Sequence, residues 1–193
     1  MNDTPVHVRT IRMEAFKAGE DELEVRGTLV DERPGAGPRW FSESQETEIH
    51  HMKAALRVRY PDFTITRISA EMATYPYTIC PDAAPPLQQL VGLSVARGFN
   101  RAVQELIGRE KGCAHLTALI LAMAPVVKQG AGSAFRGEQP ALANPDDLWF
   151  INTCQAWRKD GPLHSRLKGG DVEGIRAMSA RPRRSRSDAG SQG

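Results

Sequence analysis

Residues 52–58 alternate without interruption: Met52, Ala54, Leu56 and Val58 are apolar, with Lys53 and Arg57 between them and Arg59 following. A two-residue period puts every second side chain on one face of an extended strand, whereas a helix would scatter these residues around its axis. The apolar face needs a covering layer, so this segment alone demands a sheet packed against something else. Tyr60, Pro61 and Asp62 form a turn signal. Beyond it Phe63 and Ile65 share one parity, and Ile68, Ala70 and Met72 the other. A bulge near Thr66 or Arg67 would return both groups to one buried face. Upstream, apolar residues at 6, 8, 11 and 13, a polar turn at 19–22, and Leu23, Val25 and Leu29 read as another hairpin. Residues 31–47 hold Pro34, Gly35, Gly37 and Pro38 and read as loop.

After Cys80 the period changes. Residues 82–91 predict a short helix carrying Leu87, Leu90 and Val91. Val95, Phe99, Ala102, Val103 and Leu106 recur at helical spacing up to Gly108. A third helix is predicted from near Cys113, carrying Leu116, Leu119, Ile120 and Met123 and stopping around Pro125. Residues 129–144 read as loop, and 146–157 as a last short element. Strands first and helices second is the α+β pattern: an antiparallel sheet of about four to five strands with helices on one face.

The chain has 193 residues, enough for one domain with a core of its own. The reading is a single domain over 1–168 and a disordered basic tail over 169–193. That tail is rich in Gly, Ser and Arg and has no recurring apolar residue. Arg176, Arg181, Arg183, Arg184 and Arg186 account for the positive balance, because without them the net charge of +2 turns negative. No specific nucleic-acid binding is expected from such a chain, and a protein partner is the open alternative. No apolar run is read as reaching the roughly 20 residues that cross a bilayer. The first residues show no apolar signal core, so a bacterial, cytoplasmic setting is the expectation. Three cysteines without a CxxC disfavour a disulfide framework there and leave metal binding, thiol chemistry or packing.

The candidate ligands sit at element ends. His50 and His51 precede the third strand, Cys80 follows the fourth, and Cys113 and His115 open the third helix. Imidazole and thiolate are the ligands of zinc and, for thiolates, of iron–sulfur clusters. Cys113 and His115 lie about 200° apart on an ideal helix. They can face one ion only if Cys113 stands in an extended lead-in. Each of these residues has a plainer reading as core packing or solvated surface. Cys154, beside Trp149 and Trp157, is a candidate fourth ligand or a packing residue. His7 reads as surface and His164 as solvated. No P-loop, GxGxxG or GxSxG motif is present.

The strings at 7–16, 50–58, 70–83, 90–99 and 112–120 resemble a bacterial family, the domain of unknown function 2889, which implies a shared fold without an activity to transfer. The central region is also similar in layout to iron–sulfur cluster assembly scaffold proteins. In those, a cysteine precedes a strand beginning Met-Lys, a second follows the next strand, and a His-Cys pair opens a later helix. Here His50 or His51 precedes Met52-Lys53, Cys80 follows the strand ending at Tyr75, and Cys113 precedes Leu116. The resemblance implies a metal site of His50, Cys80, Cys113 and His115 for zinc or an iron–sulfur cluster. The alternatives are an enzyme with Cys113 as activated thiol and His50 or His115 as base, or a non-catalytic interaction module.

Overall fold

The computed structural model describes residues 3, 5–35, 46–135 and 144–179. Four strands, β1 (Val8–Lys17), β2 (Glu22–Glu32), β3 (Glu48–Arg59) and β4 (Thr64–Thr74), form one antiparallel meander in the order β1-β2-β3-β4. The expected α+β class and antiparallel sheet are observed, with four strands. Leu23, Val25 and Leu29 of β2 and Met52, Ala54, Leu56 and Val58 of β3 are all buried. Their register places Val25 opposite Leu56 and Leu29 opposite Met52.

The predicted bulge is present. Arg57 pairs with Arg67 but Val58 with Ile65, so Thr66 is the extra residue, and Ile65 and Ile68 both reach the core. Two further shifts lie close together at the other end of β3. One leaves Ile49 unmatched between Asp31–His50 and Glu32–Glu48; the other leaves Ala73 unmatched between His51–Thr74 and Met52–Met72. Bulges bend and twist a strand locally, and His50 lies between these two.

The helices are α1 (Phe99–Ile107), α2 (Ala114–Ala134), α3 (Pro162–Lys168) and α4 (Val172–Ala177). Leu116, Leu119, Ile120, Met123, Ala124, Val127 and Ala131 bury one stripe of α2, which packs on β1, β2, β3 and α1. Glycines allow the close approach. A Cβ on Gly27 would come within 3.0 Å of Leu119 Cδ1, and one on Gly130 within 2.7 Å of Ala15 Cβ.

Three expectations for residues 80–134 are corrected. The segment after Cys80 forms two 3-10 turns, Cys80–Ala83 and Pro85–Leu90, not an α-helix, since Pro81, Pro85 and Pro86 remove backbone donors. Leu87 and Leu90 are buried all the same. Helix α2 passes through Pro125 to Ala134, taking in residues read as loop, because Met123, Ala124 and Val127 anchor it on both sides of the proline. An 18-residue stretch of the 21-residue α2 has a mean hydropathy of 1.2, so α2 is also long and apolar enough to cross a membrane by length and composition, contrary to the reading that no run is. Here it is the helix that covers the sheet.

The chain divides into two compact units, residues 1–138 and 139–193. The first holds the sheet, α1 and α2. In the second, Phe150 lies 4.7 Å from Trp157 and 5.5 Å from Trp149 between ring centres. His164, read as solvated, is wholly buried: its Nε2 lies 2.7 Å from Asp146 Oδ1, and its Nδ1 accepts the Asp160 N–H. Residues 172–177, within the segment expected to lack structure, form α4, capped by Asp171 on the Gly174 N–H. Residues 180–193 lie outside the described residues.

Candidate metal centre

The buried stripe of β2 runs Leu23, Val25, Gly27, Leu29 and then Asp31. The period that fills the core therefore also points a carboxylate into it, and Asp31 is 0 % exposed. Strand register supplies its neighbours. Asp31 pairs with Arg9 on β1 and with His50 on β3, which makes one row across three strands. Arg9 donates to both oxygens, Nε to Oδ1 at 2.6 Å and Nη2 to Oδ2 at 2.8 Å. His50 Nδ1 stands 3.2 Å from Oδ2, and His7 Nε2 3.4 Å from Oδ1. The first turn of α2 closes the site from above, with His115 Nε2 3.2 Å from Oδ2. The His50 and His115 rings stack with centroids 3.6 Å apart.

The electrostatics follow from this packing. The two Arg9 hydrogen bonds hold the Asp31 carboxyl down at about 2, against the opposing effect of burial, with smaller help from the charges of Arg9, His115 and His50. Burial, then the neighbouring His50, pushes His115 below the ordinary imidazole range; Asp31 pulls the other way. At neutral pH the carboxylate is thus charged and His115 neutral. Asp31 Oδ2 faces three nitrogens, whereas a carboxylate oxygen offers about two lone-pair sites. Arg9, the His50 nitrogen and the His115 nitrogen therefore cannot all be fully bonded donors to it at once.

Asp31, His50 and His115 each offer one ligand atom, and these atoms all lie within 4.8 Å of one another. Of the sequence candidates, the structure brings His50 and His115 together. Cys113 joins their edge. It is the N-cap of α2, in extended conformation at φ −103° and ψ 128°. That is the lead-in geometry that lets residues two apart meet, and its Sγ lies 3.6 Å from His115 Nδ1. Cys80, half-buried at the start of its 3-10 turn, is not a member of the grouping. His51 points to the opposite face of β3 and sits 3.5 Å from Glu48. Cys154 is exposed.

Asp31 and Arg9 were missing from the candidates. The sequence reading of residues 31–47 as loop stops β2 at Leu29, whereas the strand runs to Glu32 and includes Asp31. Continuing the two-residue period by one step would have placed a carboxylate at a core position, which is a signal in itself.

A family described as a protein of unknown function (DUF2889) matches residues 7–129. The chain belongs to this family. The DUF2889 match begins at His7 and takes in Arg9, Asp31, His50, Cys113 and His115, so the whole grouping lies inside the family domain. No curated protein matches the chain. No solved structure matches it either.

Proposed function

We propose that this DUF2889 domain binds one divalent transition-metal ion through Asp31, His50 and His115. The supporting observation is the convergence of three ligand side chains from three elements, two imidazoles meeting the buried Asp31 carboxylate. Metal–ligand bonds of about 2.0–2.2 Å set neighbouring ligand atoms roughly 3 Å apart. The 3.2 Å separations from Asp31 Oδ2 to His50 Nδ1 and His115 Nε2 suit that spacing. Two imidazoles and a carboxylate favour zinc or iron(II). An iron–sulfur cluster is held mainly by thiolates, and this grouping contains none, so the reading is for a single ion. Three protein ligands are also the number that leaves a position open for water or substrate. Cys113 then acts through the other face of His115, fixing the ring from Nδ1. Cys80 has no role in this reading.

Metal analysis of protein purified without an affinity tag, followed by zinc titration, tests it. About one ion per chain is expected. Asp31→Asn, His50→Asn and His115→Asn should each weaken binding by at least about tenfold, as loss of even an outer-shell partner does. Cys80→Ser should leave it unchanged. Absence of zinc and iron(II) binding, or binding indifferent to the Asp31 and His115 substitutions, would sink the proposal.

A second reading rests on the Cys113–His115 contact. Cys113, His115 and Asp31 stand in series as thiol, base and orienting carboxylate, the arrangement of an activated nucleophile. In metal-free protein this reading requires Cys113 to alkylate faster than the exposed Cys154, and His115→Asn to abolish the difference. Equal rates for the two thiols would rule it out.

A further inference from the structure

We infer, on the metal-binding reading, that Arg9 is a latch: its guanidinium competes with the ion for Asp31 and so sets the affinity of the site. Arg9 occupies both carboxylate oxygens, including the Oδ2 that both imidazoles face. An ion on Oδ2 at about 2.0–2.2 Å would lie within about 5 Å of the Arg9 Nη2 that now sits 2.8 Å from the same oxygen. Two cations at that distance beside the buried Asp31 carboxylate repel each other.

The two competitors are not equally fixed. Asp31, His50 and His115 project from β2, β3 and the first turn of α2, each packed into the core. Arg9 comes from β1, an edge strand that among the described residues pairs with β2 alone, and its side chain is 38 % exposed. It can swing out to water without disturbing the sheet. In the metal-free protein the guanidinium balances the buried carboxylate, charge for charge. A dication on the imidazole side would by itself exceed the single negative charge of Asp31, and Arg9 then becomes an excess charge that leaves. The site is thereby stable without the ion, at the expense of affinity for it.

Zinc titration against a chromophoric chelator tests this with the wild-type chain, Arg9→Met and Arg9→Lys, each first checked for folding by circular dichroism. Arg9→Met, which removes the charge, is expected to bind zinc at least tenfold more tightly. Arg9→Lys, which keeps the charge but loses the fork, should fall between. If the wild type binds zinc and Arg9→Met binds no more tightly, the latch is overturned while the metal site stands. If none of the three chains binds zinc at millimolar concentration, the metal reading itself fails. Binding by Arg9→Met alone would support the latch in its strongest form. Should Arg9→Met fail to fold without zinc, Arg9→Lys decides: tighter binding than wild type supports the latch, and equal or weaker binding overturns it.

Discussion

Asp31 shows how one residue can link stability to pH. A buried carboxylate survives only if its charge is matched, and the Arg9 fork does most of that work. The sign follows from the shift. The folded carboxyl ionises near 2 and the ordinary one near 3.8. The stabilisation, roughly 2 kcal/mol, is therefore complete above about pH 4 and is lost as pH falls toward 2. His115 adds a separate dependence at higher pH. Its folded pKa is depressed, so below about 6.5 the unfolded chain takes up the proton first, and stability declines as pH falls through that range. Urea denaturation in metal-free buffer should show the wild type less stable at pH 5.5 than at pH 7.5, and His115→Asn should flatten that difference. A wild-type midpoint that does not move between the two pH values would contradict the burial assigned to this imidazole.

At the scale of the element, α2 unites fold and site. Its first turn delivers Cys113 and His115, and its body covers β1, β2 and β3. Gly130 sets how closely its far end lies on β1, because a Cβ there would meet Ala15 Cβ at 2.7 Å and Leu23 Cδ2 at 3.1 Å. Gly130→Val should cost about 1–3 kcal/mol through overpacking, read as a lower urea midpoint. A midpoint at or above the wild-type value would mean that the helix can shift freely. The alternation that made β3 and the Thr66 bulge legible works because strands half-buried by one layer carry a clean period of two. Helix α2 was legible only as far as Pro125. Local propensity penalises an internal proline, while burial of Val127, Ala131 and Phe135 beyond it is a tertiary effect that no local window contains. The site divides the same way. His50, Cys113 and His115 were visible as ligand-type residues at element ends. Asp31 needed one more step of the β2 period, and Arg9 became visible only through cross-strand register, which a sequence does not display.

For the whole molecule, the question is where the working domain stops. The DUF2889 match ends at residue 129, but the compact unit continues to 138. The difference has a physical content. Ala131 and Phe135, both buried, lie past the end of the match. The Phe135 ring stacks on Tyr60 with centroids 4.7 Å apart, and Lys17 Nζ sits 4.9 Å from the ring centre. Phe135 thus ties the end of α2 to the β3–β4 turn and to the end of β1. Arg9, Asp31, His50, Cys113 and His115 all precede either cut. A chain ended after 138 should therefore fold cooperatively and bind zinc as the full chain does, within about twofold. A chain ended after 129 loses Phe135 and should be destabilised by about 3–5 kcal/mol, the usual cost of deleting a buried aromatic side chain. Thermal melts followed by circular dichroism distinguish the two. A broad, non-cooperative melt of the longer fragment would show that the first unit depends on residues beyond 138, and equal stability of both fragments would remove Phe135 from the core.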